Sequence, residues 1–288
     1  MSLKFSQGVV NALAMGNGWG DVIKNSTVVV YSGAQPSSPD IAATAGTELV
    51  RFTTSSGSLT AETRAAFKIT LTGATGNVTA LTVGGVSIID LTALPTFSTV
   101  AALVTSCISS INSTWSYPDY YAVASGTTVG AVTYGSVDTA SFWVIAPKNS
   151  GASLNSLTVA CTVASGSAPS INGGSSTTVG GSGAVAGDVA TNGLAMTYPP
   201  TAGVISKAGT WSGTASATGN AGWFRVLCTP NYDTGLTNLS TTSDDARLIM
   251  RIDGTVDTSG ADMIVTSKSI TATVAQTVST FALTVPAA

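Results

Sequence analysis

The sequence contains no histidine, and only 9% of its 288 residues are charged. Soluble domains ordinarily carry about 25% charged residues. Without histidine the chain has neither Ser-His-Asp nor Cys-His catalytic machinery, and it has no imidazole ligand for a metal. The phosphate-binding pattern GxxxxGK[ST] does not occur either. These absences exclude the commonest hydrolase and nucleotide-binding sites, and we expect a protein that is not an enzyme and uses no cofactor.

Cysteine is also scarce. Cys107, Cys161 and Cys228 form an odd, widely spaced set without CxxC spacing. Such a set does not predict a disulfide framework or a zinc site. Each cysteine stands among apolar residues, so we predict buried free thiols in a protein that is assembled in a reducing cytoplasm.

Long apolar runs and basic clusters are missing as well. No stretch reaches the roughly 18 apolar residues of a membrane span, and the N-terminal residues lack the apolar region of a signal peptide. The net charge is −3, and the lysines and arginines are scattered singly. Nucleic-acid binding requires a concentrated positive patch. We therefore expect neither a membrane nor a nucleic-acid partner.

Serine, threonine, alanine and glycine occupy the positions that charged residues leave. These small side chains lose little conformational entropy when a surface is buried, and proteins that stay monomeric usually carry more surface charge. The composition therefore favours a subunit that works inside an assembly, as a homo-oligomer or among other proteins. A secreted, charge-poor monomer is the alternative.

Strand-like segments at the two ends of the chain predict a mainly β fold. A short amphipathic helix at residues 5–15 comes first, and glycines stop it. Alternating or β-branched runs separated by Gly, Asn and Asp turns then predict strands at the spacing of a sandwich. These runs are 26–31, 47–54, 194–198, 207–212, 222–228, 246–256, 267–274 and 280–285.

The middle of the chain has a different texture. Short strands are predicted at 67–72, 80–83, 86–91, 120–124, 142–146 and 156–163, with one longer helix at 98–112 that Ser98 would cap. Residues 166–187 are rich in Gly and Ser and predict a flexible linker. We therefore predict a jelly-roll or Ig-like β-sandwich from residues 1–56 and 186–288. A small α+β domain at 57–185, carrying one helix, would be inserted in it.

Carboxylates in the segment DGTVDTSGAD are a weak candidate for a Ca²⁺ site, because hard cations prefer carboxylate and carbonyl oxygens. The residues are Asp253, Asp257 and Asp262. Their spacing is not that of an EF-hand loop, and Asp-Gly is also the ordinary signal for a hairpin turn. A pair of facing carboxylates that degrades polysaccharide is a remote alternative, and no spacing in the sequence points to one.

Aromatic residues cluster in the segment TWSYPDYY, which follows the predicted helix. Trp115, Tyr117, Tyr120 and Tyr121 could anchor a protein interface or contact a glycan. Packing of the helix on its sheet explains the same cluster, and we favour that interpretation.

Other large side chains fall in the predicted strands of the terminal segments. We expect Trp211, Trp223 and Phe224 to fill the core of the sandwich. Arg225 and Arg251 would either pair with acids across an interface or lie on a solvated face.

The terminal segments resemble a family of small virion proteins of tailed bacteriophages. The resemblance lies in "YSGAQPSSPDIAATAGTELVRFT", "KAGTWSGTASATGNAGWFRVL" and the GxVxTSGAD turn, and covers roughly residues 1–54 and 192–288. The middle resembles a module that is inserted in other phage structural proteins. The resemblance implies a structural component of the virion, assembled in the bacterial cytoplasm. A capsid decoration or minor capsid protein is the first expectation; a tail tube, collar, baseplate or fibre protein, or a carbohydrate-binding adhesin, is the alternative.

Overall fold

The computed structural model describes residues 3–73, 78–89, 97–113, 120–163, 167–171, 185–197, 204–240 and 244–284. Strands account for 44% of the chain and helices for 15%, which confirms the mainly β prediction. The chain divides into two compact units. The first, here called the barrel unit, comprises Met1–Glu62, Val129–Ala131 and Ala190–Ala288; the second, the inserted unit, comprises Thr63–Thr128 and Val132–Val189.

The described residues form four α-helices and twenty strands, numbered here in chain order. Helices α1 to α4 are Gln7–Ala14, Trp19–Ile23, Val100–Ser113 and Asp245–Leu248, and a 3₁₀ turn spans Gly151–Leu154. Strands β1 to β20 are Lys4–Phe5, Thr27–Ser32, Glu48–Thr54, Ala66–Gly73, Val78–Val83, Val86–Ser87, Tyr121–Ser125, Thr128–Val129, Val132–Thr133, Asp138–Ile145, Val159–Val163, Ser167–Ile171, Ala195–Met196, Val204–Ala208, Trp211–Thr214, Gly219–Leu227, Arg251–Asp257, Met263–Val265, Ser269–Ile270 and Ala275–Thr284.

The sheet of the barrel unit closes on itself. Its hydrogen-bonded order runs β17-β16-β2-β3-β15-β20, and β18 pairs with both β20 and β17, so that seven strands form a barrel-like ring. This closure is consistent with the predicted sandwich-type fold and leaves few free strand edges. Apolar side chains from alternate strand positions fill the interior, among them Val28, Phe224 and Ile252.

A bulge divides one predicted strand in two. The sequence predicts a continuous strand at 207–212, but β14 ends before Gly209, which has a φ of 65°. Both β14 and β15 pair with β20: Ser206 lies opposite Ala282, and Ser212 opposite Thr277. The β14–β15 side thus contains one residue more than the β20 side, which is the mark of a β-bulge.

The inserted unit combines a four-stranded sheet, β12-β4-β10-β7, with a three-stranded sheet, β11-β5-β6. Within the described residues of this unit, α3 is the one α-helix, as predicted. It buries Leu103, Val104, Cys107 and Ile111 in the unit's hydrophobic core. The residue that caps α3 differs from the prediction, because the hydroxyl of Thr99 accepts the hydrogen bond from the Ala102 amide.

Two further predictions of local structure are wrong. Part of the predicted linker at 166–187 is ordered, since β12 pairs with β4 and Val185 bridges to Ala66; residues 166 and 172–184 of that segment lie outside the described residues. The predicted strand at 246–256 begins as helix α4, and only Arg251–Asp257 is extended. The linker prediction fails because the segment forms hydrogen bonds with distant strands, and local composition does not reveal such pairing.

Candidate functional site

The outer face of the barrel is buried along β2, β16 and β17. Phe224 and Val226 point into the barrel core, so the alternation of a strand places Trp223, Arg225 and Leu227 on the outside. These outer residues are nevertheless almost inaccessible to water. Two loops lie over this face, residues 33–47 and 233–240, which we call the paired loops.

Arg225 forms the first of two buried clamps beneath the paired loops. Asp253 lies directly opposite Arg225 in the antiparallel register of β16 and β17. Nε and Nη2 of Arg225 donate to the two carboxylate oxygens of Asp253, each at 2.7 Å, and both side chains are fully buried. The remaining Nη1 donates to the carbonyl oxygen of Gly235 at 2.9 Å. One guanidinium thus joins the barrel wall to a loop.

Arg251 forms the second clamp with the same geometry. Its Nε and Nη2 donate to Asp233 at 2.7 and 2.6 Å, and its Nη1 donates to the carbonyl oxygen of Pro39 at 3.1 Å. Asp233 also accepts the amide of Gly235 at 2.8 Å, which shapes the turn. Both ion pairs are bidentate and fully buried, the strongest arrangement that arginine and carboxylate adopt.

Aromatic packing completes the layer under the paired loops. The rings of Tyr31 and Trp223 stack with centroids 4.6 Å apart, and the Arg225 guanidinium lies 5.4 Å from the Trp223 ring centroid. Burial raises the pKa of the Tyr31 hydroxyl to about 12. Burial also raises the pKa of Asp253, while the hydrogen bonds and charge of Arg225 act in the opposite direction. The layer is therefore a second, partly ionic core outside the barrel.

The paired loops are also joined to each other. The Ala43 amide donates to the Gly235 carbonyl oxygen at 2.9 Å, and the Leu239 amide donates to the Asp40 carbonyl oxygen at 2.7 Å. The side chain of Asn238 accepts the amide of Ala42 at 2.8 Å. With the two clamps below them, both loops have their backbone positions fixed at several points.

The outward surface of the paired loops combines two large apolar side chains with small and uncharged polar residues. Ile41 is 42% exposed and Leu236 is 53% exposed. The loops contain two ionisable residues, Asp40 and Asp233. Asp233 is buried in its clamp, and the Asp40 carboxylate accepts the Gln7 amide at the start of α1. Such a surface suits contact with another protein, because little charge has to be desolvated.

The sequence interpretation of Arg225 and Arg251 was wrong. Neither lies on a solvated face or across an interface between chains, because their partners Asp253 and Asp233 belong to the same chain. The β16–β17 register joins Arg225 to Asp253, but no local pattern indicates that the outer face is covered. Asp233 was missed altogether, and the only local signal is its Asp-Thr-Gly turn.

The three predicted calcium ligands serve different partners. Asp253 is held by Arg225, Asp257 pairs with Lys268 at 3.2 Å, and Asp262 accepts the amide and hydroxyl of Thr255. Among the described residues, no three acidic, cysteine or histidine side chains form a group that could hold a metal ion. The structure therefore does not bring these aspartates together as a site.

The predicted aromatic contact site is only partly described. Trp115 and Tyr117 lie outside the described residues. Tyr120 is 5% exposed and belongs to the core of the inserted unit, and Tyr121 is 7% exposed. Burial raises the pKa of Tyr120 to about 12. Neither tyrosine offers an exposed ring to a glycan, so packing accounts for these two.

The remaining core predictions can be placed. Trp211 and Phe224 lie in the barrel core, as predicted, whereas Trp223 is buried in the layer outside it. Cys107, Cys161 and Cys228 are free thiols; Cys107 and Cys228 are buried, and Cys161 is partly exposed.

Comparison with protein-family models, with curated proteins and with solved structures gave no match. No helix in the described part of the chain has the length and apolar character needed to cross a membrane.

Proposed function

We propose that the chain is a structural protein of a tailed bacteriophage particle, and that it decorates the capsid by docking the paired loops on the shell. The observation that carries this proposal is the pair of buried clamps. Each arginine binds a carboxylate through two hydrogen bonds and donates a third to a loop carbonyl oxygen. The two fully buried ion pairs thus hold the paired loops in position.

Rigid loops favour docking because less conformational freedom is lost on binding. Immobilising a loop or a flexible side chain on association costs about 0.5–1.5 kcal/mol per side chain. The clamps and the bonds from Ala43 and Leu239 remove that freedom before the partner arrives. A capsid decoration protein binds through many identical contacts, so a small saving at each one is multiplied over the particle.

The shortage of surface charge supports an assembled state. The sequence has 11 Lys and Arg and 14 Asp and Glu, and six of those in the described part of the chain are buried: Glu62, Arg64, Arg225, Asp233, Arg251 and Asp253. The exposed surface is therefore even poorer in charge than the composition implies. Surfaces of this kind pack against other proteins with little desolvation cost, which fits a virion subunit whose partners are the major capsid protein and further copies of itself.

Cryo-electron microscopy of the assembled particle tests the location. We expect density for this chain over the icosahedral shell, with the paired loops facing the capsid. Density confined to the tail would contradict capsid decoration and would support a role as a tail tube, collar, baseplate or fibre protein. Absence of the chain from purified particles would overturn the virion proposal.

A binding measurement tests the docking surface itself. Shells that lack the chain are mixed with wild-type protein or with the double variant Ile41→Asp/Leu236→Asp, and bound copies are counted by quantitative mass spectrometry. We expect at least a tenfold loss of affinity, because two charges would be buried against the shell. Val274→Asp is the matched control, since Val274 is 47% exposed and lies outside the paired loops. Equal loss for both variants would contradict docking by the loops.

A further inference from the structure

A cleft in the barrel unit lies beside the end of strand β3. Its volume is about 480 Å³, within the range of about 300–1,000 Å³ that small-molecule sites occupy. Its walls combine polar and apolar groups, including Arg51, Ser56, Ser58, Leu59, Thr214 and Pro230. All of these residues belong to one unit and to the described part of the chain.

Arg51 is the charged residue that lines the cleft, and its charge is balanced by Glu48, which is not among the lining residues. Glu48 accepts hydrogen bonds from Nε and Nη2 of Arg51 at 3.2 and 3.0 Å, and both side chains are about one-third exposed. The third nitrogen, Nη1, has no partner among the described residues. An anion in the cleft would compete with the Glu48 carboxylate for the Arg51 guanidinium, and a cation would meet that guanidinium with no carboxylate among the lining residues. The pair therefore favours a neutral ligand that can both donate and accept hydrogen bonds.

Hydroxyl groups along the walls of the cleft can also donate and accept hydrogen bonds. Ser58 and Thr214 are exposed, and neither hydroxyl has a hydrogen-bond partner in the described parts of the chain. Ser56 bonds Ser212 at 2.9 Å. Leu59 and Pro230 add apolar surface between these polar groups. A saccharide also presents hydroxyl groups alternating with C–H surfaces, so it matches both kinds of group in the walls of the cleft.

The backbone at the rim of the cleft turns through two serines with positive φ. Ser55 and Ser56 have φ values of 51° and 58°, and the Gly57 amide closes the turn on the Thr54 carbonyl oxygen at 2.9 Å. Two consecutive positive φ angles favour Asn-Gly or Gly-Gly. The turn between β5 and β6 has the same sign pattern and uses Gly84 and Gly85. Serine is less favourable than glycine or asparagine at both positions, and Ser56 is one of the residues that line the cleft.

We propose that this cleft binds a neutral saccharide, with the Arg51 guanidinium and the free hydroxyls of Ser58 and Thr214 as its polar contacts. The site adds a glycan-binding activity on the barrel unit. It does not depend on the proposed role in the capsid, because none of its residues belongs to the paired loops.

Titration of the full-length chain by amide NMR tests the proposal. The probes are maltotriose, cellotriose and N-acetylchitotriose, each raised to 10 mM, with sulfate and inorganic phosphate in separate samples. We expect saturable shifts of residues 51–61 and 213–214 with at least one saccharide. Arg51→Ala should weaken binding at least tenfold. Ser58→Trp, at an exposed position, should fill the cleft and abolish the shifts.

Lys268→Ala is the matched control, because Lys268 and Asp257 form another partly exposed ion pair of the barrel unit that does not line the cleft. Its saccharide affinity should equal that of the wild type. The proposal is overturned if no saccharide shifts these residues, if Ser58→Trp binds like the wild type, or if sulfate and phosphate alone produce the shifts. The last result would make the cleft an anion site.

Discussion

Two buried ion pairs of the barrel unit and a surface ion pair of the inserted unit lie in opposite environments. In the barrel unit, Arg225–Asp253 and Arg251–Asp233 are fully buried. In the inserted unit, Lys68 pairs with Asp138 at 3.4 Å, with exposed fractions of 28% and 36%. A buried pair loses hydration that its mutual attraction repays only when further hydrogen bonds are made. The clamps make such further hydrogen bonds to the paired loops, so we infer that they stabilise one arrangement of these loops. The exposed pair is an ordinary surface contact.

Removing one member of each pair gives the largest expected contrast. Arg225→Met leaves the Asp253 carboxylate buried without its partner, which should lower the free energy of unfolding by about 3–5 kcal/mol. Lys68→Met breaks a solvated pair and should cost less than about 1 kcal/mol. Guanidinium denaturation followed by tryptophan fluorescence measures both values. Similar losses for the two variants would remove the distinction between the buried and the exposed ion pairs.

A double variant separates stability from loop positioning. Arg225→Met/Asp253→Leu replaces the ion pair by apolar groups and should recover most of the stability that Arg225→Met loses. The Gly235 carbonyl oxygen still loses the hydrogen bond from Arg225. We therefore expect the Ala43 amide, which donates to Gly235, to exchange its hydrogen with solvent faster than in the wild type. Unchanged exchange at Ala43 in this stable variant would contradict the positioning role of the clamp.

Sequence patterns located most of the longer strands of both units but not the layer outside the barrel. Runs such as VVVY and FRVL predict extended structure because β-branched and aromatic residues favour strands. A run that is buried on both faces lacks the alternation that would assign Arg225 to one face. The cover over that face comes from residues 33–47 and 233–240, far apart in sequence. Local patterns contain no information on such a long-range contact.

The same limit applies to the cleft and to the strand Ser167–Ile171. Arg51 and Thr214 meet through the pairing of β3 with β15, which a single sequence does not specify. Ser167–Ile171 has the composition of a linker, and its pairing with β4 makes it a strand. The exposed apolar residues Ile41 and Leu236 are isolated in the sequence, so their common surface becomes visible only when the paired loops are placed.

The two positive-φ turns provide a smaller and more local comparison. Ser55→Asn/Ser56→Gly at the cleft should raise the free energy of unfolding by about 1 kcal/mol, because these residues adopt positive φ more readily. Gly84→Ser/Gly85→Ser in the inserted unit should lower it by about 1–3 kcal/mol, since L-residues are strained at φ values of 58° and 82°. A Cβ at Gly84 would also lie 3.2 Å from the Leu157 side chain. Chemical denaturation measures both changes, and a stabilising effect in the inserted unit would contradict the comparison.

The smallest expected contrast lies in the response to acid. Hydrogen bonds from Ser141 and the Ala140 amide, together with Lys68, lower the pKa of Asp138 below its ordinary value of 3.8. Its contribution to stability is therefore present above pH 3.8 and is lost as the pH falls through the lowered pKa. Burial raises the pKa of Asp253, so the pH dependence of its contribution to stability is opposite to that of Asp138. The contribution of Asp253 is present below pH 3.8 and is lost as the pH rises through the raised pKa.

Asp138→Asn isolates the contribution of the inserted unit. The variant should unfold more easily than the wild type at pH 6, and the difference between the two proteins should shrink as the pH is lowered to 2.5. Water screens this partly exposed carboxylate, so the change is small and calls for paired denaturation curves at each pH. Amide exchange of β10, measured in the same samples, assigns the effect to the inserted unit. A difference between variant and wild type that stays constant from pH 6 to pH 2.5 would show that the Asp138 carboxylate stabilises its unit by something other than its charge.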